Sequence, residues 1–121
     1  MSRIMIAVDS DAIRLVLKDI IEIGHHEFVA EATNGEEAVK KFNETKPDLL
    51  LLDMAMPKKD GLTALKEILA INPNAKIIMI TASDNVNTMN QCINAGALAY
   101  LLKPFNFEEV LKTITQKLAL Q

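Results

Sequence analysis

A chain of 121 residues, half of them apolar, is long enough for one packed core and too short for two. Thirteen Lys and Arg against sixteen Asp and Glu give a formal net charge of −3, which removes any general electrostatic ground for a nucleic-acid partner. The single Cys92 excludes an internal disulfide, and the short apolar run behind Arg3 reads as neither a secretion signal nor a spanning helix, so one domain over residues 1–121 in a reducing cytoplasm, away from any membrane, is the expectation.

Residues 3–8 (RIMIAV) form the first predicted strand, and Ile13, Val16, Leu17 and Ile20 then recur at helical spacing until Gly24. The pair His25-His26 falls in the turn that follows, with no third ligand in view, and reads as a solvated loop rather than a metal site. A second strand spans 28–32 (FVAEA). Asn34-Gly-Glu-Glu37 is an N-cap with an acid three residues on, opening a helix through Ala38, Val39 and Phe42. Residues 48–53 (DLLLLD) are a third strand, followed by a loop with Pro57 and Gly61 and a helix through Leu62, Leu65, Ile68 and Leu69 that stops at Asn72-Pro73. The fourth strand, 76–81 (KIIMIT), precedes a helix through Val86, Met89 and Ile93 ending at Gly96; Cys92 on it reads as a packing or partly exposed thiol. The fifth, 98–102 (LAYLL), precedes Asn106 and Glu109, a second capping pair, and a helix through Val110, Leu111, Ile114 and Leu118.

Five β-α units in succession require right-handed crossovers and a parallel sheet with helices on both faces, an α/β doubly wound sandwich. The strands at 3–8, 48–53 and 76–81 have no polar face, so they are central. Such a sheet takes its ligands beyond the carboxyl ends of its strands. There Asp9 follows the first strand, Asp53 ends the third, Thr81 ends the fourth and Lys103 follows the fifth. Each alone is explained by capping or solvation; together, two carboxylates, a hydroxyl and an ammonium make a phosphoryl-transfer site. Two close carboxylates repel unless a cation intervenes, and magnesium suits a site with one or two carboxylates, waters and phosphate oxygens. Asp53 is then the nucleophile, with Lys103 and Thr81 aimed at the equatorial oxygens.

Other chemistries on this fold lack their residues. A mononucleotide binder needs a Ser/Thr/Gly-rich loop where VDSDAIR stands, a dinucleotide binder needs G-x-G-x-x-G, and an aspartyl-nucleophile phosphatase needs an acid where Ala55 stands.

Asp9, LLLLDMAMPKKDG, IIMITAS and GALAYLLKPF together resemble the receiver domain of two-component response regulators, closest to the stand-alone chemotaxis type. The resemblance covers essentially the whole chain and implies a flavodoxin-like (βα)5 fold with strand order 2-1-3-4-5. It further implies that Asp53 accepts phosphate from the phosphohistidine of a sensor histidine kinase or phosphotransfer protein, and that Asp9, Asp53 and the Ala55 carbonyl hold Mg2+. Thr81 would hydrogen-bond the phosphoryl group, Lys103 would pair with it, and Tyr100 would swing inward as Thr81 moves. Ala55 and Ser83 would flank the pocket and influence the phosphate's lifetime, and the Lys103–Pro104 bond would be cis. The surface over residues 86–118 would meet a downstream output protein or motor, the domain itself being a monomer or weak dimer without direct contact to nucleic acid.

One position departs from the pattern. Receivers end the first strand with two adjacent acids, whereas this chain reads IAVDSDAIR. The ungapped frame puts Val8 in the first acidic slot and Asp9 in the second; a one-residue gap would instead pair Asp9 with Ser10. Either way one carboxylate is missing, which weakens the expected magnesium site and leaves Asp11 as a candidate substitute. The alternative is a degenerate receiver that acts as a phosphorylation-independent interaction module.

Overall fold

The computed structural model of the chain describes residues 2–82 and 85–120. Its elements alternate as β1 (Arg3–Ala7), α1 (Asp11–Ile23), β2 (Glu27–Ala32), α2 (Gly35–Thr45), β3 (Leu49–Asp53), α3 (Gly61–Ile71), β4 (Ile77–Thr81), α4 (Val86–Asn94), β5 (Ala99–Leu102) and α5 (Phe107–Leu118). All pairings are parallel, in the order β2-β1-β3-β4-β5, as the resemblance implied. Every residue of β3 and β4 is buried, whereas the edge strand β2 is only half covered, which is why its sequence carries Glu27 and Glu31.

Because side chains alternate across a strand, the sheet divides the core in two. Ile4, Ile6, Leu49, Leu51, Ile78 and Ile80 meet Leu17 and Ile20 of α1 and Val110 and Ile114 of α5 on one face. Met5, Leu50, Leu52, Ile77 and Met79 meet Phe42, Leu65, Ile68 and Cys92 from α2, α3 and α4 on the other. Truncating Leu51, fully buried in the central strand, to alanine would cost about 3–5 kcal/mol.

Each predicted cap is present. Asn34 accepts from the Glu37 amide at 2.9 Å while the Glu37 carboxylate returns to the Thr33 amide at 2.8 Å, and Asn106 accepts from the Glu109 amide at 2.7 Å. Ser10, Asp60 and Asn85 cap α1, α3 and α4 in the same way.

Helix faces differ from the periodicity in two places. On α1 the buried residues are Arg14, Leu17, Ile20 and Ile21, and Val16 is half exposed. Val16 lies about 100° around the helix from Leu17, at the edge of the buried stripe, whereas Arg14 lies within it. On α4 only Cys92 is buried; Val86 and Ile93 face outward. The histidine turn also departs from a fully solvated loop. His25 has φ 61° and is exposed, but His26 is partly covered and its buried Nδ1 has no partner.

Candidate functional site at the carboxyl edge of the sheet

β3 delivers Asp53 to the end of the sheet with its carboxylate 2% exposed. Lys103, one residue past β5, is brought alongside by its amide, which donates to the Thr81 carbonyl at 2.8 Å and so extends the β4–β5 ladder. The Lys103 Nζ then donates to Asp53 Oδ2 at 2.8 Å. The second oxygen, Oδ1, accepts from the Ala55 amide at 3.2 Å. A buried carboxylate needs such partners to offset its lost hydration.

The loop after β3 turns sharply at this point. Met54 stays in the ladder by donating its amide to the Ile80 carbonyl at 2.9 Å, and its own carbonyl accepts from the Gly61 amide at 2.9 Å, bringing α3 back against the acceptor. A Cβ at Gly61 would stand 2.1 Å from the Asp53 carbonyl oxygen, so only glycine permits this approach. Thr81 is 4% exposed, and with Asp53, Met54, Ala55, Thr88 and Lys103 it lines a cleft of about 250 Å³.

Three of the predicted groups, Asp53, Thr81 and Lys103, therefore share one cleft. Asp9 stands outside its lining, exposed on the β1–α1 turn, and Tyr100 is 38% exposed on β5. Ser83 lies outside the described residues. The Lys103–Pro104 peptide is cis.

The acidic departure can be located. Ala7 pairs with Leu52, so the next step of the register sets Val8 beside Asp53, and alternation puts both on the α1–α5 face of the sheet. Val8 is fully buried among Ile6, Leu17 and their neighbours. Ser10 caps α1, accepting from the Ile13 amide at 3.3 Å. Asp11 is 94% exposed in its side chain and paired with Arg14. Among the described residues, no group of three or more His, Cys, Asp or Glu side chains converges as a metal cage.

Features that periodicity did not flag complete the surroundings. Met54 reaches the Cys92 thiol, sulfur to sulfur, at 3.3 Å, and burial pushes that thiol's pKa up. A second, apolar cleft of about 520 Å³ opens beside the first, lined by Ile13, Val16, Ala82, Lys103, Pro104 and Phe105. Periodicity had put Val16 of this wall on the apolar face of α1, where it is instead half exposed.

The chain belongs to the response regulator receiver domain family, whose sequence profile matches residues 4–115. It is 43% identical over 116 residues to the chemotaxis protein CheY of Bacillus subtilis, covering 96% of this chain and 97% of that protein. It is 41% identical over 114 residues to CheY of Thermotoga maritima, covering 94% and 95%. Among solved structures it is similar to the CheX–CheY–BeF3–Mg complex from Borrelia burgdorferi, with a TM-score of 0.93 and 31% identity over 95% of this chain and 87% of that one. This kinship is consistent with a two-component signalling switch, and among the described residues no helix is long and apolar enough to cross a membrane.

Proposed function

We propose that this receiver is a phosphoacceptor switch in which Asp53 takes a phosphoryl group from a phosphohistidine of a histidine kinase or phosphotransfer protein. The observation that carries the reading is a carboxylate 2% exposed, held at 2.8 Å by an ammonium, at the mouth of a cleft that also holds Thr81. An Asp53 carboxylate oxygen attacks phosphorus; the P–O bond forms as the P–N bond breaks, and the electron pair returns to the imidazole nitrogen, which takes up a proton. Lys103 already faces the acceptor and follows the charge onto the phosphoryl oxygens.

The donor set fits magnesium, which needs one or two carboxylates and otherwise keeps its waters and phosphate oxygens. Asp9, Asp53 and the Ala55 carbonyl would hold it. Bound there, the ion neutralises charge on the transferring group. The donor protein would dock over the apolar cleft beside Pro104 and Phe105, whose wall shares Lys103 and Ala82 with the acceptor cleft.

Phosphorylation adds about −1.5 to −2 charge units and three strong acceptors beneath α4. Thr81 and Lys103 are drawn toward them, Tyr100 turns inward from its exposed position, and the face bearing Val86, Tyr100 and Phe107 changes shape for a downstream output protein or motor. A second reading rests on Val8: with an apolar side chain filling the first acidic slot, the domain is a degenerate receiver that signals by binding alone.

Beryllofluoride with magnesium, a stable mimic of an acyl phosphate, separates the two. The switch reading expects a higher thermal midpoint for the wild type and none for Asp53→Asn. No shift in either protein favours the degenerate reading.

A further inference from the structure

Of the charged side chains among the described residues, two are buried: Asp53, which the proposed function uses, and Arg14, which it does not. Arg14 is 8% exposed and each of its nitrogens has a partner. Nε donates to Glu31 Oε1 at 3.0 Å, Nη2 to Asp11, and Nη1 to the backbone carbonyl of Val8 at 2.6 Å. The backbone amide of Arg14 donates to the Ser10 carbonyl at 3.0 Å.

These contacts bracket Asp9. The carbonyl before it and the carbonyl after it are both held by Arg14, one through the side chain and one through the main chain. A peptide unit is planar, so fixing the Val8 oxygen fixes the direction in which the Asp9 Cα leaves the strand. Val8 is also held through its amide, which donates to the Ala32 carbonyl at 3.1 Å. Glu31, itself bridged to Lys18 at 2.5 Å, anchors the guanidinium from β2. Asp9 has no such support from its own side chain, which is exposed.

We infer that Arg14 is the positioning residue for Asp9, and that this chain, with valine in the first acidic slot, depends on it to present its remaining rim carboxylate to magnesium. The inference rests on the reading that Asp9 and Asp53 hold the ion. It also gives Asp11 a different part: its carboxylate braces Arg14 rather than replacing the missing ligand. Fixing the backbone on either side of Asp9 narrows where its carboxylate can reach before the ion arrives, which removes part of the ordering cost of binding. Partners bonded directly to a ligand are typically worth about 10–100-fold in metal affinity, and a backbone brace belongs at the lower end of that range.

The test is calorimetric titration of Mg2+ into the full chain for wild type, Arg14→Met, Arg14→Lys and Asp9→Asn, with amide hydrogen exchange on the metal-free proteins. Arg14→Met should weaken magnesium by about tenfold, and the amides of Val8 and Arg14, bonded to the Ala32 and Ser10 carbonyls, should exchange faster while those of Leu51 and Leu52 stay protected. Arg14→Lys, which can still donate to the Val8 carbonyl, should recover part of the affinity; if Arg14→Met fails to fold, a loss of about threefold in Arg14→Lys carries the test. Wild-type affinity in a folded Arg14 variant would make the residue merely structural and overturn the inference. A wild type that takes up no magnesium would overturn the metal reading itself, and the role of Arg14 with it, a result distinct from a binding wild type with indifferent Arg14 variants.

Discussion

Replacing Val8 with aspartate would set a second carboxylate beside Asp53, and the geometry there sets the expected cost. Position 8 is fully buried and stands one register step past Ala7–Leu52, next to Asp53 on the same face of the sheet. Neighbouring strands put two such carboxylates about 5 Å apart, which at an effective dielectric of about 20 is a repulsion of roughly 3 kcal/mol. Burying the new group adds about 1–3 kcal/mol, and sharing the Lys103 ammonium offsets a similar amount, leaving a net destabilisation of about 3 kcal/mol without metal. With an unfolding entropy of about 0.25 kcal/mol/K for 121 residues, the midpoint should fall by about 12 °C. Magnesium should reverse most of that loss, because it binds the folded pair and not the unfolded chain, and each tenfold gain in affinity returns about 1.4 kcal/mol, or about 6 °C. Circular-dichroism melts in EDTA and across a magnesium series read both effects. A Val8→Asp protein as stable as wild type in EDTA, with no added response to magnesium, would refute the placement of Val8 beside Asp53.

Further outcomes follow from the same geometry. Lys103→Met strands a buried carboxylate and should lower stability by about 3 kcal/mol at neutral pH, whereas Asp53→Asn leaves an ammonium that reaches water and should stay within about 1 kcal/mol of wild type; chemical denaturation compares them. Gly61→Ala forces a methyl against the Asp53 carbonyl oxygen and should cost about 2–3 kcal/mol by the same assay. Hydrogen bonds from Lys18 to Glu31, from the Thr33 amide to Glu37 and from the Thr63 amide to Asp60 hold those carboxyls below their usual range. Folded pKa values that are depressed confer stability above the unfolded value and lose it as pH falls, so stability should decline below about pH 4.5, and Glu37→Gln should flatten that acid limb. Tyr100→Ala should leave phosphoryl uptake intact and change partner binding; equal loss of both would make Tyr100 structural.

Much of this was legible because the central strands are so apolar. Leu49–Leu52 and Ile77–Ile80 have no alternative to burial on both faces, and Asn34 and Asn106 mark helix starts by chemistry that acts locally. Strand ends follow too, to within a residue. Arg14 was not legible, because its burial depends on three acceptors supplied by Val8, Asp11 and Glu31, one of them on another strand. The outward turn of Val86 and Ile93 was missed for a related reason: α4 covers the sheet through Cys92 alone, so its periodic apolar residues are left over. Of the four groups expected at this edge, Asp53, Thr81 and Lys103 line one cleft, since a strand's end fixes where its last polar residue stands, but Asp9 stands outside that lining, exposed on a turn whose conformation no spacing rule sets.

Whether Asp53 is a working acceptor is measured most directly by intact mass after incubation with a small-molecule phosphodonor, with and without magnesium, for wild type and Asp53→Asn. An acceptor at Asp53 should show as a magnesium-dependent gain of one phosphoryl group in the wild type and none in the variant. No gain in the wild type at any magnesium concentration, or an equal gain in Asp53→Asn, would contradict it.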